Sequence, residues 1–278
     1  MDEKGIGYRM REDIQRQLEE KWTAGTGPYS RPELEWLLDH IGDPDPAIRD
    51  DLVYNSFCSA IMNHFLTKED LLFLVDSVLQ RDLLTYKMPE QGDATLVRSF
   101  SSLLLALILD VDQTADSPYH QSLSTDQLQT IFGQTLLYLQ QETDSTGWDK
   151  EKGWVHAFAH GAELLLYAGL HKEFPQERME ELLETLTIVL KQREALFTAG
   201  EERRLAFMVT QLLIQEKIQQ TQLCHWIEKL DFPNQSPQDY FALLNLENLL
   251  STIYLHLEKE GFLETELKDS ILNFWKGY

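Results

Sequence analysis

Cysteine is nearly absent from this 278-residue chain: only Cys58 and Cys224 occur, each in an apolar context. Two isolated thiols build no disulfide framework, and without C-x-x-C spacing they read as small core residues in a reducing compartment. Basic residues are scarce too. Twenty-four Lys and Arg stand against forty-six Asp and Glu, a net charge of −22. Phosphate backbones are bound by displacing counterions with Lys and Arg, so this balance excludes nucleic acid as a partner and disfavours anionic membrane surfaces. Long hydrophobic runs are missing as well. The longest strongly apolar stretch, Leu103 to Leu109, falls far short of the roughly 20 residues of a membrane-spanning helix. The opening residues, Met1-Asp2-Glu3-Lys4-Gly5, lack the basic-then-apolar order of a secretory signal, so a cytoplasmic protein is expected.

Glycine (14) and proline (9) are sparse, and they punctuate the chain rather than pervade it. With 43% hydrophobic and 25% charged residues, the composition is that of a globular fold, not of a disordered segment. Alternating runs of the strand type are absent. Apolar residues instead recur at three and four, as in Leu71, Leu72, Val75, Val78, Leu79 and in Leu182, Leu183, Leu186, Val189, Leu190. Helix starts are marked at Asp45-Pro46, at Thr67 with Asp70 following, and at Ser236-Pro237 with Asp239 following.

These signals predict an all-α protein of about a dozen helices in a single domain over residues 1–278, with 1–30 as a peripheral N-terminal helix. The pairs run over 46–65 with 67–84, 92–110 with 124–142, 152–170 with 176–195, 200–218 with 220–230, and 237–258 with 263–276. Their spacing is that of irregular HEAT- or armadillo-like helical repeats, with a compact α/α assembly as the alternative. Asp43-Pro44-Asp45-Pro46-Ala47-Ile48-Arg49 fits a repeat start, where Asp caps the helix and Arg reaches a neighbouring repeat.

Catalytic signatures that identify an enzyme regardless of fold are also missing. Gly5-x-Gly7 lacks a third glycine and a preceding strand, and there is no phosphate-binding loop, nucleophile elbow, H-E-x-x-H or paired C-x-x-C. One polar cluster stands out, from Glu142 through Asp144, Gly147, Trp148, Gly153, Trp154, His156 and His160 to Glu163. On a helix begun near Gly153, His156, His160 and Glu163 fall at i, i+4 and i+7 and form one stripe. Three readings compete. The stripe could be a hydrogen-bonded seam between helices. It could line a pocket for a peptide, a protein or a small ligand, walled by Trp148 and Trp154. Or His156, His160 and Glu163 could bind zinc for a hydrolase, with Glu142 or Asp144 as base. Gly161 implies a close approach by a helix or a ligand, since it costs about 1 kcal/mol against Ala in a helix interior. Arg98, Arg203 and Arg204 open other helices and either bridge to carboxylates or join the same concave surface.

The strings Arg98-Ser99-Phe100-Ser101, Tyr138-Leu139 with Glu142, Asp144 and Gly147, Gly153-Trp154-Val155-His156-Ala157-Phe158-Ala159-His160-Gly161-Ala162-Glu163 and Glu202-Arg203-Arg204-Leu205-Ala206 resemble a bacterial family, domain of unknown function 2785. The resemblance runs from about residue 30 onward. Family members often carry Asp in place of Glu163 and Arg in place of Thr146, so the resemblance fixes no role for either. It ties the cluster together and implies no activity. The expected function is ligand or partner binding in a polar cleft around His156 and His160, with the zinc hydrolase as alternative.

Overall fold

Helix takes up 68% of the chain. The computed structural model describes the backbone of residues 3–276 and the side chains of residues 13–275. Two strands of two residues each are the sole sheet among the described residues, so the protein is all-α, as the three-to-four periodicity requires. The N-terminal part holds α1 (Glu3–Ala24) and α2 (Arg31–Asp39), then a π-helical segment (Ala47–Tyr54) that runs on into α3 (Asn55–Met62), and α4 (Lys68–Gln80). The long α5 (Asp93–Gln113) and α6 (Thr125–Gln141) lead to a hairpin of β1 (Trp148–Asp149) and β2 (Gly153–Trp154). After it come α7 (Ala157–Leu170), α8 (Met179–Lys191), α9 (Glu201–Ile214), α10 (Gln220–Glu228), α11 (Pro237–Glu260) and α12 (Thr265–Lys276).

Side-chain caps set several of these starts. Thr67 with Asp70, Ser124 with Gln127, and Ser236 with Asp239 each form a reciprocal capping box, satisfying two otherwise unpaired backbone N–H groups apiece. Each cap of this kind is worth about 1 kcal/mol. Ser30 and Glu33 do the same for α2, a helix the sequence reading passes over. The expected peripheral N-terminal helix exists as α1, but Leu18 is fully buried and Lys21 bridges to Glu33 at 2.7 Å. Residues 1 and 2 lie outside the described residues.

Helices α3, α5, α7, α9 and α11 pack each against the next. The most extensive helix–helix contact joins α5 and α7, and both helices bury small residues, Ser99 and Ser102 on α5 and Ala159 and Ala162 on α7. A Cβ at Gly161 would lie 2.6 Å from Leu139 Cδ2 and 3.0 Å from Tyr138 Cε1. The close approach is therefore made by α6, not by a ligand. Helix α5 is long and apolar enough to cross a membrane by length and composition, yet 83% of its apolar window is buried inside the fold. Its leucines serve the core, where each buried aliphatic side chain contributes about 1.5–3 kcal/mol.

The 114–124 connection is pinned rather than loose. Asp112 accepts hydrogen bonds from the backbone of Ser122 and Leu123, and Tyr119 Oη donates to the Leu66 carbonyl at 3.0 Å.

Candidate functional site

The site begins with a break in a helix. The residues expected to open a helix at 152 instead form a hairpin with Trp148 opposite Trp154 and Asp149 opposite Gly153. Asp149 Oδ1 accepts from the N–H groups of Glu151 and Lys152, and Gly153 takes φ +68°, as a three-residue turn closed by a left-handed glycine demands. His156 follows in a left-handed conformation, φ 47° and ψ 33°, and α7 starts only at Ala157. Single left-handed residues other than Gly, Asn or Asp cost energy and cluster at functional sites.

Arg49 holds the hairpin in place. Its guanidinium is fully buried and donates to the carbonyls of Asp43, Lys152 and Trp154 at 2.9, 2.6 and 3.2 Å, and to the Asp50 carboxylate at 2.6 Å. It also lies over the Phe100 ring at 4.7 Å. Asp45 caps this segment by accepting from Ala47 N–H, so the Asp-then-Arg pattern does work across the chain. The segment is wound as a π-helix, a form that is rare and frequent at functional sites.

His156 and His160 face one open cleft of about 500 Å³, whose walls include Asp50, Tyr54, Phe100, Trp154, Arg203 and Arg204. The two imidazoles lie nearly parallel, 5.6 Å apart at 19°, and Trp154 covers His156 at 4.6 Å. Nδ1 of His160 sits 2.8 Å from Ser99 Oγ, while that hydroxyl donates to the Val155 carbonyl at 2.5 Å. A serine hydroxyl has one proton, so His160 Nδ1 must carry its own and donate it, leaving the Nε2 lone pair open. Burial drives His160 down to about 3, helped by the charges of His156, Arg204 and Arg49. His156 is lowered by burial and by Arg204. Both rings are therefore neutral near pH 7.

Behind His156 lies Glu201, whose Oε2 accepts from Ala199 N–H while Oε1 is buried without a partner, 3.9 Å from His156 Nδ1. Desolvation raises its carboxyl above the usual range. Any side chain at Gly147 would collide with this carboxylate and with Ala199, which explains that glycine.

Arg98, Glu142 and Asp144 are not in the cleft. Arg98 and Glu142 form a fully buried bidentate pair at 2.8 and 3.0 Å, and Glu142 Oε1 also accepts from the N–H groups of Thr143 and Asp144. Asp144 accepts from Thr95, Thr146 and Gly92, and these bonds hold it below the usual carboxylate range although burial alone would raise it. The network ties the start of α5 to the end of α6. Neither carboxylate is placed to act as a base on anything at the histidines.

The zinc set does not assemble either. Glu163 turns to Arg204 at 2.7 Å, and His156 sits at the N-cap instead of on the helix, which breaks the three-residue stripe. Among the described residues no group of three or more His, Cys, Asp or Glu is placed to hold a metal ion. Trp148 projects into solvent, 56% exposed, and does not line the cleft. Five of the expected ligand-contacting residues do line it: Trp154, His156, His160, Arg203 and Arg204. The sequence reading missed Asp50, Tyr54 and Phe100 as cleft residues, and Glu201 behind His156. Only Arg49, through its Asp-x-x-Ile-Arg context, carried a signal pointing there. A larger cavity of about 1040 Å³ lies near Gln91, Gln140 and Gln192, but no histidine lines it, whereas His156, His160, Trp154 and two arginines meet at the smaller cleft.

Fold and site together define an all-α protein with an aromatic-walled cleft, carrying two histidines and two arginines, between the π-helical segment, α5, the hairpin, α7 and α9. The chain belongs to the family described as "Protein of unknown function (DUF2785)", whose model matches residues 84–255. That stretch contains the hairpin, both histidines and both rim arginines, but not Arg49, Asp50 or Tyr54. No curated protein and no solved structure matches the chain.

Proposed function

We propose that the protein is a binding module that recognises a small ligand, or a segment of a peptide or protein, in the cleft around His156 and His160. One observation carries the reading. Trp154, two neutral imidazoles and two arginines converge on an open cavity from three separate segments, while the neighbouring Arg98–Glu142 pair is saturated within the fold. A volume of about 500 Å³ falls within the usual range for ligand pockets. Two further parts of the reading go with it. The successive packing of α3, α5, α7, α9 and α11 supports a HEAT-like helical repeat, and the two free cysteines support a cytoplasmic location.

The test is a ligand-observed NMR screen of a mixed library of metabolites and short peptides, run on the wild-type protein and on Trp154→Ala. Hits that bind the wild type and lose their signal with the variant support the module. Hits that ignore the substitution place recognition elsewhere and overturn it.

A further inference from the structure

The next step rests on the binding reading and narrows its ligand. We infer that the cleft takes a small hydroxylated anion, whose charged group lies at Arg203 beside Arg204 and whose hydroxyl donates to Nε2 of His160.

Two adjacent arginines line the cleft of a strongly acidic chain. Net charge is −22 overall, yet Arg49, Arg203 and Arg204 gather around this one cavity. Of the nearby carboxylates, Asp50 is engaged with Arg49 at 2.6 Å and Glu163 with Arg204 at 2.7 Å, while Glu201 lies buried behind His156, where desolvation raises its carboxyl and favours the neutral form. Arg203 is exposed on the cleft wall, and no carboxylate bridges it among the described residues. A guanidinium is a fork of donors that matches carboxylate and phosphate oxygens. The arginine charges that disfavour a proton on His156 and His160 would favour a bound anion at the same place.

The deep end asks for something different. Ser99 commits its proton to the Val155 carbonyl, so His160 spends Nδ1–H on Ser99 and keeps Nε2 as an acceptor. That atom has no partner and is not sealed off from the cavity. An anionic oxygen would be repelled there, whereas a hydroxyl or N–H would be bound. The two ends therefore select for a charged group and a donor on one small body, beside the face of Trp154.

The experiment uses five probes with one three-carbon frame: glycerol phosphate, glycerate, glycerol, aminopropanediol and propyl phosphate. Each is titrated into the full chain while NMR follows the Trp154 indole N–H and the His160 ring. The anions should shift both signals, with glycerol weaker by about tenfold or more. Arg203→Ala should cost the anions about tenfold and leave the helical circular dichroism unchanged, since Arg203 is exposed. Propyl phosphate, lacking the hydroxyls, should bind several-fold more weakly than glycerol phosphate. A preference for glycerol phosphate would point to a phosphate ester, and a preference for glycerate to a carboxylic acid. Glycerol or aminopropanediol binding as tightly as the anions would overturn this inference and leave the binding module standing. Propyl phosphate matching glycerol phosphate would overturn the hydroxyl half. Silence at Trp154 and His160 from every probe would overturn this inference, while the binding module stands or falls on the library screen.

Discussion

The Arg98–Glu142 network and the histidine cleft are made of the same residue types and share α5, yet they treat their polar atoms in opposite ways. In the network both carboxylate oxygens of Glu142 are filled, and the Arg98 guanidinium has the Tyr86 carbonyl as a further acceptor. At the cleft, His160 Nε2 is open and Arg203 is left to solvent, and behind it Glu201 Oε1 is orphaned. Unsatisfied buried groups cost about 1–3 kcal/mol each, so a chain that saturates one cluster and not its neighbour is tolerating a cost at the second. Between these two clusters, saturation rather than residue type separates the groups that hold helices together from those left available to a ligand.

The network side of this comparison breaks most visibly. Arg98→Ala strands the buried Glu142 carboxylate and should cost about 3–5 kcal/mol in urea unfolding. Pairing it with Glu142→Leu should recover part of that loss, because the charge left behind is removed as well. A single-variant loss below about 1 kcal/mol would show that the pair is not what holds α5 to α6.

Gly161→Ala probes the packing beneath the cleft. The added methyl gains up to about 1 kcal/mol of helix propensity but meets the buried Leu139 at 2.6 Å. Overpacking of this kind costs about 1–3 kcal/mol, so a net loss in melting temperature is expected. Leu139→Ala in the same chain should relieve the strain, at the price of a cavity. A single variant more stable than wild type would mean that α6 yields easily.

A smaller effect should appear with pH. His160 is held down to about 3 in the fold against an ordinary value near 6.5, so the unfolded chain takes up the proton first. Its stabilising contribution is complete above pH 6.5 and is lost as pH falls from there toward 3. His156, lowered as well, acts in the same direction. Asn can still donate toward Ser99 but does not titrate, so His160→Asn should show a flatter melting temperature between pH 6.5 and 4. Equal slopes for both proteins would place the sensitivity elsewhere.

Much of the fold is legible in the sequence because three-to-four periodicity and capping residues are local signals. Thr67 with Asp70 and Ser236 with Asp239 cap the helices they announce. The cleft is only half legible. His156, His160, Trp154, Arg203 and Arg204 stand in recognisable strings, but their partners do not. Glu142 looked like a neighbour of His156 because it ends the preceding helix, yet Arg98 draws it to the other side. The hairpin was missed although Trp148-Asp149-Lys150-Glu151-Lys152-Gly153-Trp154 has a glycine closing a short turn. That turn moves the start of α7 from near 153 to 157 and so dissolves the expected histidine–glutamate stripe. Asp50 and Tyr54 reach the cleft from about a hundred residues away, a distance no local pattern reports.

The smallest expected effect gives the most direct test. Trp154 is half-exposed and Arg203 exposed, and in the proposed cleft both serve the ligand rather than the fold. Urea unfolding of Trp154→Ala combined with Arg203→Ala should differ from wild type by no more than about 1 kcal/mol, the range of surface substitutions and an exposed cross-strand pair. A loss approaching that of Arg98→Ala would contradict the account, because the cleft would then be part of what holds the protein together.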